Sequence, residues 1–263
     1  SLPGERFEYD WQNDYSATLT LFNCIPRERI SDQLKNFGAG ILMSATLEPM
    51  HVYRQVTGLN KLESSGTPVY ERQYGLNFPE INRMSFTVDA PAFKYNNKKS
   101  TKNAMGGPNT SNSVRDRYAQ AIFSVVKTTP GRTLVCMPSY SEAWWAGKLL
   151  RNQPELASNK ILIDEASTNQ QTEQIKQEFF SIDSATLVTG SLGTLTEGVD
   201  YKGDRLSAVV CCGVPIQNTN NVYATATRTA YEKAFGEENG FEYAFTVPAV
   251  RKTRQALGRV IRS

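Results

Sequence analysis

The chain has 263 residues, 40% hydrophobic and 21% charged, with a formal net charge of +3, an ordinary globular composition that allows one large α/β domain or two small ones. No run approaches the roughly 18 apolar residues that span a bilayer, and the opening "SLPGERFEYDWQ" is polar, without a signal pattern. A single histidine, His51, cannot build a His-based metal site or a Ser-His-Asp relay, and the four cysteines (Cys24, Cys136, Cys211, Cys212) contain no C-x-x-C pair and read as buried, reduced thiols.

In chain order, short β-branched apolar runs predict buried strands. They are TLTLF at 18–22, GILMSA at 40–45, RTLVCM at 132–137, KILID at 160–164, ATLVTG at 185–190 and SAVVCCG at 207–213. Helical patterns fall between them at 139–151, with Ser139 as N-cap candidate, and at 169–180, where Ile175 and Phe179 are spaced i, i+4. Strand and helix in alternation predict an α/β fold with a mainly parallel sheet, whose chemistry lies on loops beyond the carboxyl ends of the strands. The stretch 96–113, NNKKSTKNAMGGPNTSNS, is polar and aperiodic and reads as a mobile loop or insertion. Charge is uneven: five Lys/Arg and no acid lie between Ala90 and Arg115, and no acid follows Glu242.

Three constellations bear on chemistry. The closing segment RKTRQALGRVIRS at 251–263 holds five basic residues. Pro248 suits the first turn of a helix, with Thr246 as a possible cap. Continued at 100° per residue, that helix puts Gln255, Arg259 and Arg262 within roughly 60° of one another. Val250, Leu257 and Ile261 then form the opposite, seating face. Two guanidiniums and an amide in line suit phosphate, although a solvated basic face has the same pattern. The stretch from Gly190 to Pro215 follows a strand and sets Gly193 and Gly198 around hydroxyls and the carboxylates Glu197 and Asp200. Ser191, Thr194 and Thr196 can donate to a phosphodiester, and Asp200 can accept from a ribose hydroxyl or an arginine. A turn shaped only by its glycines is the alternative. In LMSATLEPM at 42–50, Ser44 and Thr46 stand at a strand-to-loop junction, where an ST-turn is the simple reading.

SATL at 44–47, LVCMPSY at 134–140, GTLTEGVDYKGDRLSAVVCCGVP at 193–215 and QALGRVIRS at 255–263 resemble motifs III, IV, V and VI of superfamily 2 helicases. The flavour is that of the xeroderma pigmentosum group D (XPD) and DinG helicases. The resemblance runs from about Thr18 to the end. It implies a RecA-like three-layer sandwich, the second motor lobe, at 56–263, with 1–55 as last strands of the first lobe, motif III and crossover. It also implies ATP in a cleft between lobes. Arg259 and Arg262 would then reach the γ-phosphate with Gln255 beside them. Gly198, Asp200 and Glu197 would contact nucleotide. Thr194, Thr196, Ser191, Ser139 and Tyr140 would line the nucleic-acid track, and Ser44, Ala45 and Thr46 would couple ATP state to lobe closure. No G-x-x-x-x-G-K-[ST] and no DEAH-type box occurs, so ATP and Mg²⁺ are expected to be shared with a separate Walker-containing lobe, and the chain, which begins without Met, to be a piece that is inactive alone. An iron–sulfur cluster is expected, if anywhere, in the parent protein's first lobe, because the four cysteines here lack that spacing. The implied partners are single-stranded DNA, the first lobe and repair-complex proteins, with no membrane. The implied activity is ATP-driven, 5′-to-3′ DNA unwinding in repair, in the cytoplasm with the nucleoid or in the nucleus. A non-catalytic docking module and an RNA helicase lobe are the alternatives.

Overall fold

The computed structural model describes residues 5–13, 16–75, 84–90, 93, 114–165, 168–197, 199, 201 and 206–260, with backbone only through residue 19 and at 197. The chain divides into two compact units, Ser1–Gly75 with Ile216–Arg251, and Leu76–Pro215 with Lys252–Ser263. This is a different partition from a single cut near residue 55, because the later segment 216–251 packs with the N-terminal residues.

The first unit opens with an antiparallel hairpin of β1 (Glu5–Asn13) and β2 (Ser16–Asn23), in register from Glu5↔Asn23 to Trp11↔Ala17. The helices α1 (Arg27–Leu34), α2 (Met50–Thr57) and α3 (Leu59–Ser64) follow. Gly58 ends α2 in the left-handed region at φ 78°, and a Cβ there would meet the Arg27 carbonyl oxygen at 2.6 Å, so only glycine allows both the turn and the approach. The unit closes with α8 (Val222–Phe235) and α9 (Glu237–Phe241), then a π-helical turn at Glu242–Thr246 that runs into α10 (Val247–Leu257). The π turn has a plain cause. Pro248 cannot bond back to residue 244 and its ring crowds that carbonyl, so the helix widens ahead of it. Thr246 is therefore inside a continuous helical run rather than a cap. Cys24, Ile25, Val52, Tyr231, Phe245 and Val247 form the core of this unit.

The predicted strand at 40–45 does not form. Ile41 and Met43 are each 88% exposed and no described residue pairs with this stretch. A β-branched apolar run becomes a strand only where a neighbour takes its N–H and C=O groups.

The second unit is built on a four-stranded, all-parallel sheet. Its strands are β3 (Arg132–Met137), β4 (Lys160–Ile163), β5 (Ala185–Gly190) and β6 (Ala208–Cys211), in the order β4-β5-β3-β6. Every residue of β5 is buried, as expected of a strand covered on both faces. Val135, Met137, Ile161, Ile163 and Val188 face α4 (Val114–Thr128) and α5 (Tyr140–Arg151) through Ile122, Val126, Ala143, Ala146 and Leu150. Leu134, Cys136, Leu162 and Leu187 face the other way, onto Phe179 of α6 (Asn169–Ser181), Leu195 of α7 (Thr194–Glu197) and Ala256 of α10. The alternation of β3 therefore feeds two cores, and the α/β, mainly parallel prediction is borne out. The helices begin where the sequence places them. Ser139 caps α5 by accepting from the Glu142 N–H, and Thr168 with Gln171 closes a capping box on α6. Arg132 closes the other end of α6, donating Nε to the carbonyls of Phe179 (3.1 Å) and Ile182 (2.7 Å) and Nη2 to that of Phe180 (3.1 Å). The polar stretch at 96–113 lies outside the described residues.

Candidate functional site

The carboxyl edge of the parallel sheet gathers the loops that follow β3, β4 and β5. Beyond β3, Ser139 is exposed, and its Oγ lies 2.9 Å from the Ser141 hydroxyl. Tyr140 lays its ring over Gly190 and its hydroxyl over Gly193. A Cβ on Gly193 would sit 2.6 Å from Tyr140 Oη and 3.0 Å from the Gly190 carbonyl oxygen, so the loop after β5 can pass this close only as glycine.

That loop is closed from within. Ser191 is buried and donates its N–H to the Met137 carbonyl at 2.7 Å. Thr196 is 2% exposed, and its hydroxyl lies 2.6 Å from the Gly193 carbonyl oxygen and 3.1 Å from that of Gly190. It therefore shapes the loop from inside, while Thr194 at the start of α7 is exposed. Gly198 and Asp200 lie outside the described residues, and only the backbone of Glu197 is described.

Beyond β4, Asp164 is a feature that the sequence reading passed over. It is 2% exposed, accepts from the Thr189 hydroxyl at 2.7 Å and donates its own N–H to Val188 at 2.9 Å; its second oxygen, Oδ1, has no hydrogen-bond partner. Burial, and after it the Asp164 charge, pushes the Tyr140 phenol up. An acidic residue closing an apolar strand, KILID, was the available signal. Among the described residues no group of three His, Cys, Asp or Glu side chains is placed to hold a metal ion.

The closing segment meets the loop after β5. The helix α10 stops at Leu257, so Gln255 is on its last turn and exposed, whereas Arg259 lies beyond it, in a turn where its N–H bonds to Ala256 at 3.1 Å. The single helical face through Gln255, Arg259 and Arg262 is thereby corrected: Gly258 interrupts it, and Arg262 lies outside the described residues. The seating face is corrected too. Val250 and Leu257 are 42% and 44% exposed, and Ala256 is the buried residue of that turn; Ile261 lies outside the described residues. Arg259 donates Nη1 to the Val199 carbonyl, inside the segment between Gly198 and Asp200. Tyr201 beside it is held well above the usual phenol range by burial first, then by Cys136, with Arg259 acting the other way. Opposite Cys211 in the β3–β6 register, Cys136 is raised by its hydrogen bond to Cys211 and by burial, while the same bond lowers Cys211.

In the first unit, Ser44 and Thr46 form the ST-turn of the simple reading. Ser44 Oγ accepts from the Thr46 N–H at 3.3 Å, Thr46 is buried, and Ser44 and Ala45 are exposed.

A parallel sheet with capped helices, a glycine-bound loop at its carboxyl edge and an arginine from the C-terminal segment lodged in that loop is the setting in which the comparisons fall. The model of the helicase C-terminal domain family matches residues 122–263, more than half of the chain. The chain belongs to the helicase C-terminal domain family. This helicase domain is 23% identical over 278 residues to the ATP-dependent DNA helicase CHL1 of Debaryomyces hansenii, a match covering 98% of the chain and 32% of that protein. The chain thus spans about a third of the length of the relative. A solved XPD helicase structure matches with a TM-score of 0.55 at 20% identity, over 92% of this chain and 40% of that one. The fold is that of a RecA-like helicase lobe, and the XPD/DinG-type resemblance read from the motifs is borne out. No helix among the described residues is long and apolar enough to cross a membrane.

Proposed function

We propose that this chain is the second motor lobe of an ATP-dependent DNA helicase of the XPD/DinG type, acting with a Walker-containing first lobe to move single-stranded DNA. The observation that carries this reading is the seating of Arg259 against Val199, which joins the two phosphate-directed constellations at the carboxyl edge of one sheet. ATP is the substrate, and hydrolysis at its γ-phosphate supplies the free energy. In this reading Arg259 stabilises negative charge as it develops on the γ-phosphoryl oxygens, a role worth about 10³–10⁵ in rate in other phosphoryl-transfer systems. Leaving Val199 for phosphate exchanges a carbonyl for an anionic acceptor, which strengthens a guanidinium hydrogen bond. Arg262, Gln255, Gly198, Asp200 and Glu197 complete the nucleotide side, with Mg²⁺ held mainly by the other lobe.

On the strand side, Ser139 and Thr194 are the exposed hydroxyls and Tyr140 is the aromatic neighbour, while Ser191 and Thr196 hold the loop in shape. Contacts of this kind go to phosphate and are independent of sequence. The test is DNA-stimulated ATPase of the longer protein that carries this chain, wild type against Arg259→Ala. The expected outcome is a loss of turnover of about 10²-fold or more with single-stranded DNA binding kept. Unchanged turnover rejects the motor reading in favour of a docking module. The chain by itself is expected to show no ATPase.

A further inference from the structure

The turn at residues 44–46 is followed by two backbone carbonyls with a distant partner. Arg251, in α10, donates Nε to the Glu48 carbonyl at 2.9 Å and Nη2 to the Leu47 carbonyl at 2.5 Å. All three residues belong to the same compact unit. The guanidinium also lies 5.8 Å from the centre of the Tyr53 ring, which belongs to α2, the helix that follows the turn. One planar group thus holds two adjacent carbonyls and an aromatic face. A lysine, as a point charge, cannot reproduce that arrangement.

The position of Arg251 along its helix gives the clamp its significance. Gln255 is four residues further along α10, on the same face and about 6 Å along the axis, and Arg259 follows just past the helix end. From these contacts we infer that Arg251 is a positioning residue: it holds the segment that follows the Ser44–Ala45–Thr46 turn against α10, and the function of that turn depends on this hold. The inference rests on the motor-lobe reading above, in which the turn couples ATP state to lobe closure.

The experiment compares Arg251→Ala, Arg251→Lys and Arg259→Ala in the longer protein, measuring ATPase without and with single-stranded DNA, strand affinity and strands unwound per ATP. For Arg251→Ala the inference expects DNA-free turnover, nucleotide KM and strand affinity within about threefold of wild type, with DNA stimulation of kcat reduced about tenfold or more, inside the usual span of coupling between sites. Arg251→Lys, keeping the charge and losing the fork, should fall between the two. Hydrogen exchange should be faster at the amides of residues 46–51 in both variants. If Arg251→Ala does not fold, the lysine variant carries the test alone, through stimulation and exchange. A folded variant with wild-type stimulation overturns the inference, as does one in which DNA-free and DNA-stimulated rates fall by the same factor. If Arg259→Ala is inactive while Arg251→Ala behaves as wild type, only the clamp is rejected; if Arg259→Ala is fully active, the motor reading fails and the clamp with it.

Discussion

Gly193 leaves room for the Tyr140 hydroxyl, and this approach, with the Tyr140 ring over Gly190, joins the loop after β5 to the start of α5. Gly193→Ala puts a methyl group 2.6 Å from Tyr140 Oη, and forcing an extra carbon into a packed site costs about 1–3 kcal/mol. Denaturant titration should show that loss. Tyr140→Phe removes the offending oxygen, so the double variant should recover part of it, and an additive pair would show that the clash is with the backbone instead. Both glycine and tyrosine stood out in the sequence. Their contact did not, because they are 53 residues apart in sequence and only the pairing of β3 with β5 brings them together.

At the scale of elements, a helix cap was readable and the distant closures were not. The N-cap at Ser139 follows from local sequence. The cap on the far end of α6 comes from Arg132 on another strand, taking three carbonyls that would otherwise lie unbonded. Replacing it by methionine removes a charged donor from partly buried acceptors, and Arg132→Met should destabilise the protein by about 1.5–3 kcal/mol, measured by denaturant unfolding, with Arg132→Lys recovering less than half. The apolar run at 40–45 shows the reverse failure. Its composition says strand, yet Ile41 and Met43 remain exposed, because strand formation is decided by a neighbour and not by the run itself.

At the scale of the whole molecule, burial holds several phenols and thiols neutral. Cys212 is pushed from its ordinary 9.0 up to about 12 by burial first and then by Cys211. The folded state keeps the proton to higher pH than the unfolded chain, so the stabilisation is complete below about pH 9 and is lost as pH rises towards 12. Each such group steepens the loss by up to about 1.4 kcal/mol per pH unit. Tyr201 and Cys136 act in the same direction. Under reducing conditions, unfolding free energy should therefore fall between pH 9 and 12, and Cys212→Ala should make that fall shallower. Equal slopes would mean that the thiol is not held neutral by the fold.

The sequence by itself determined the parallel α/β class, β3 and β5 to the residue and two helix starts. Each of these depends on nearest-neighbour periodicity, capping or local composition. Tertiary structure alone decided that Asp164 and Thr189 meet under the site and that Arg251 holds the carbonyls of Leu47 and Glu48 some 200 residues away. The physical reason is that a buried donor or acceptor must find a partner wherever the packed chain offers one, and that search runs through space, where sequence periodicity carries no information.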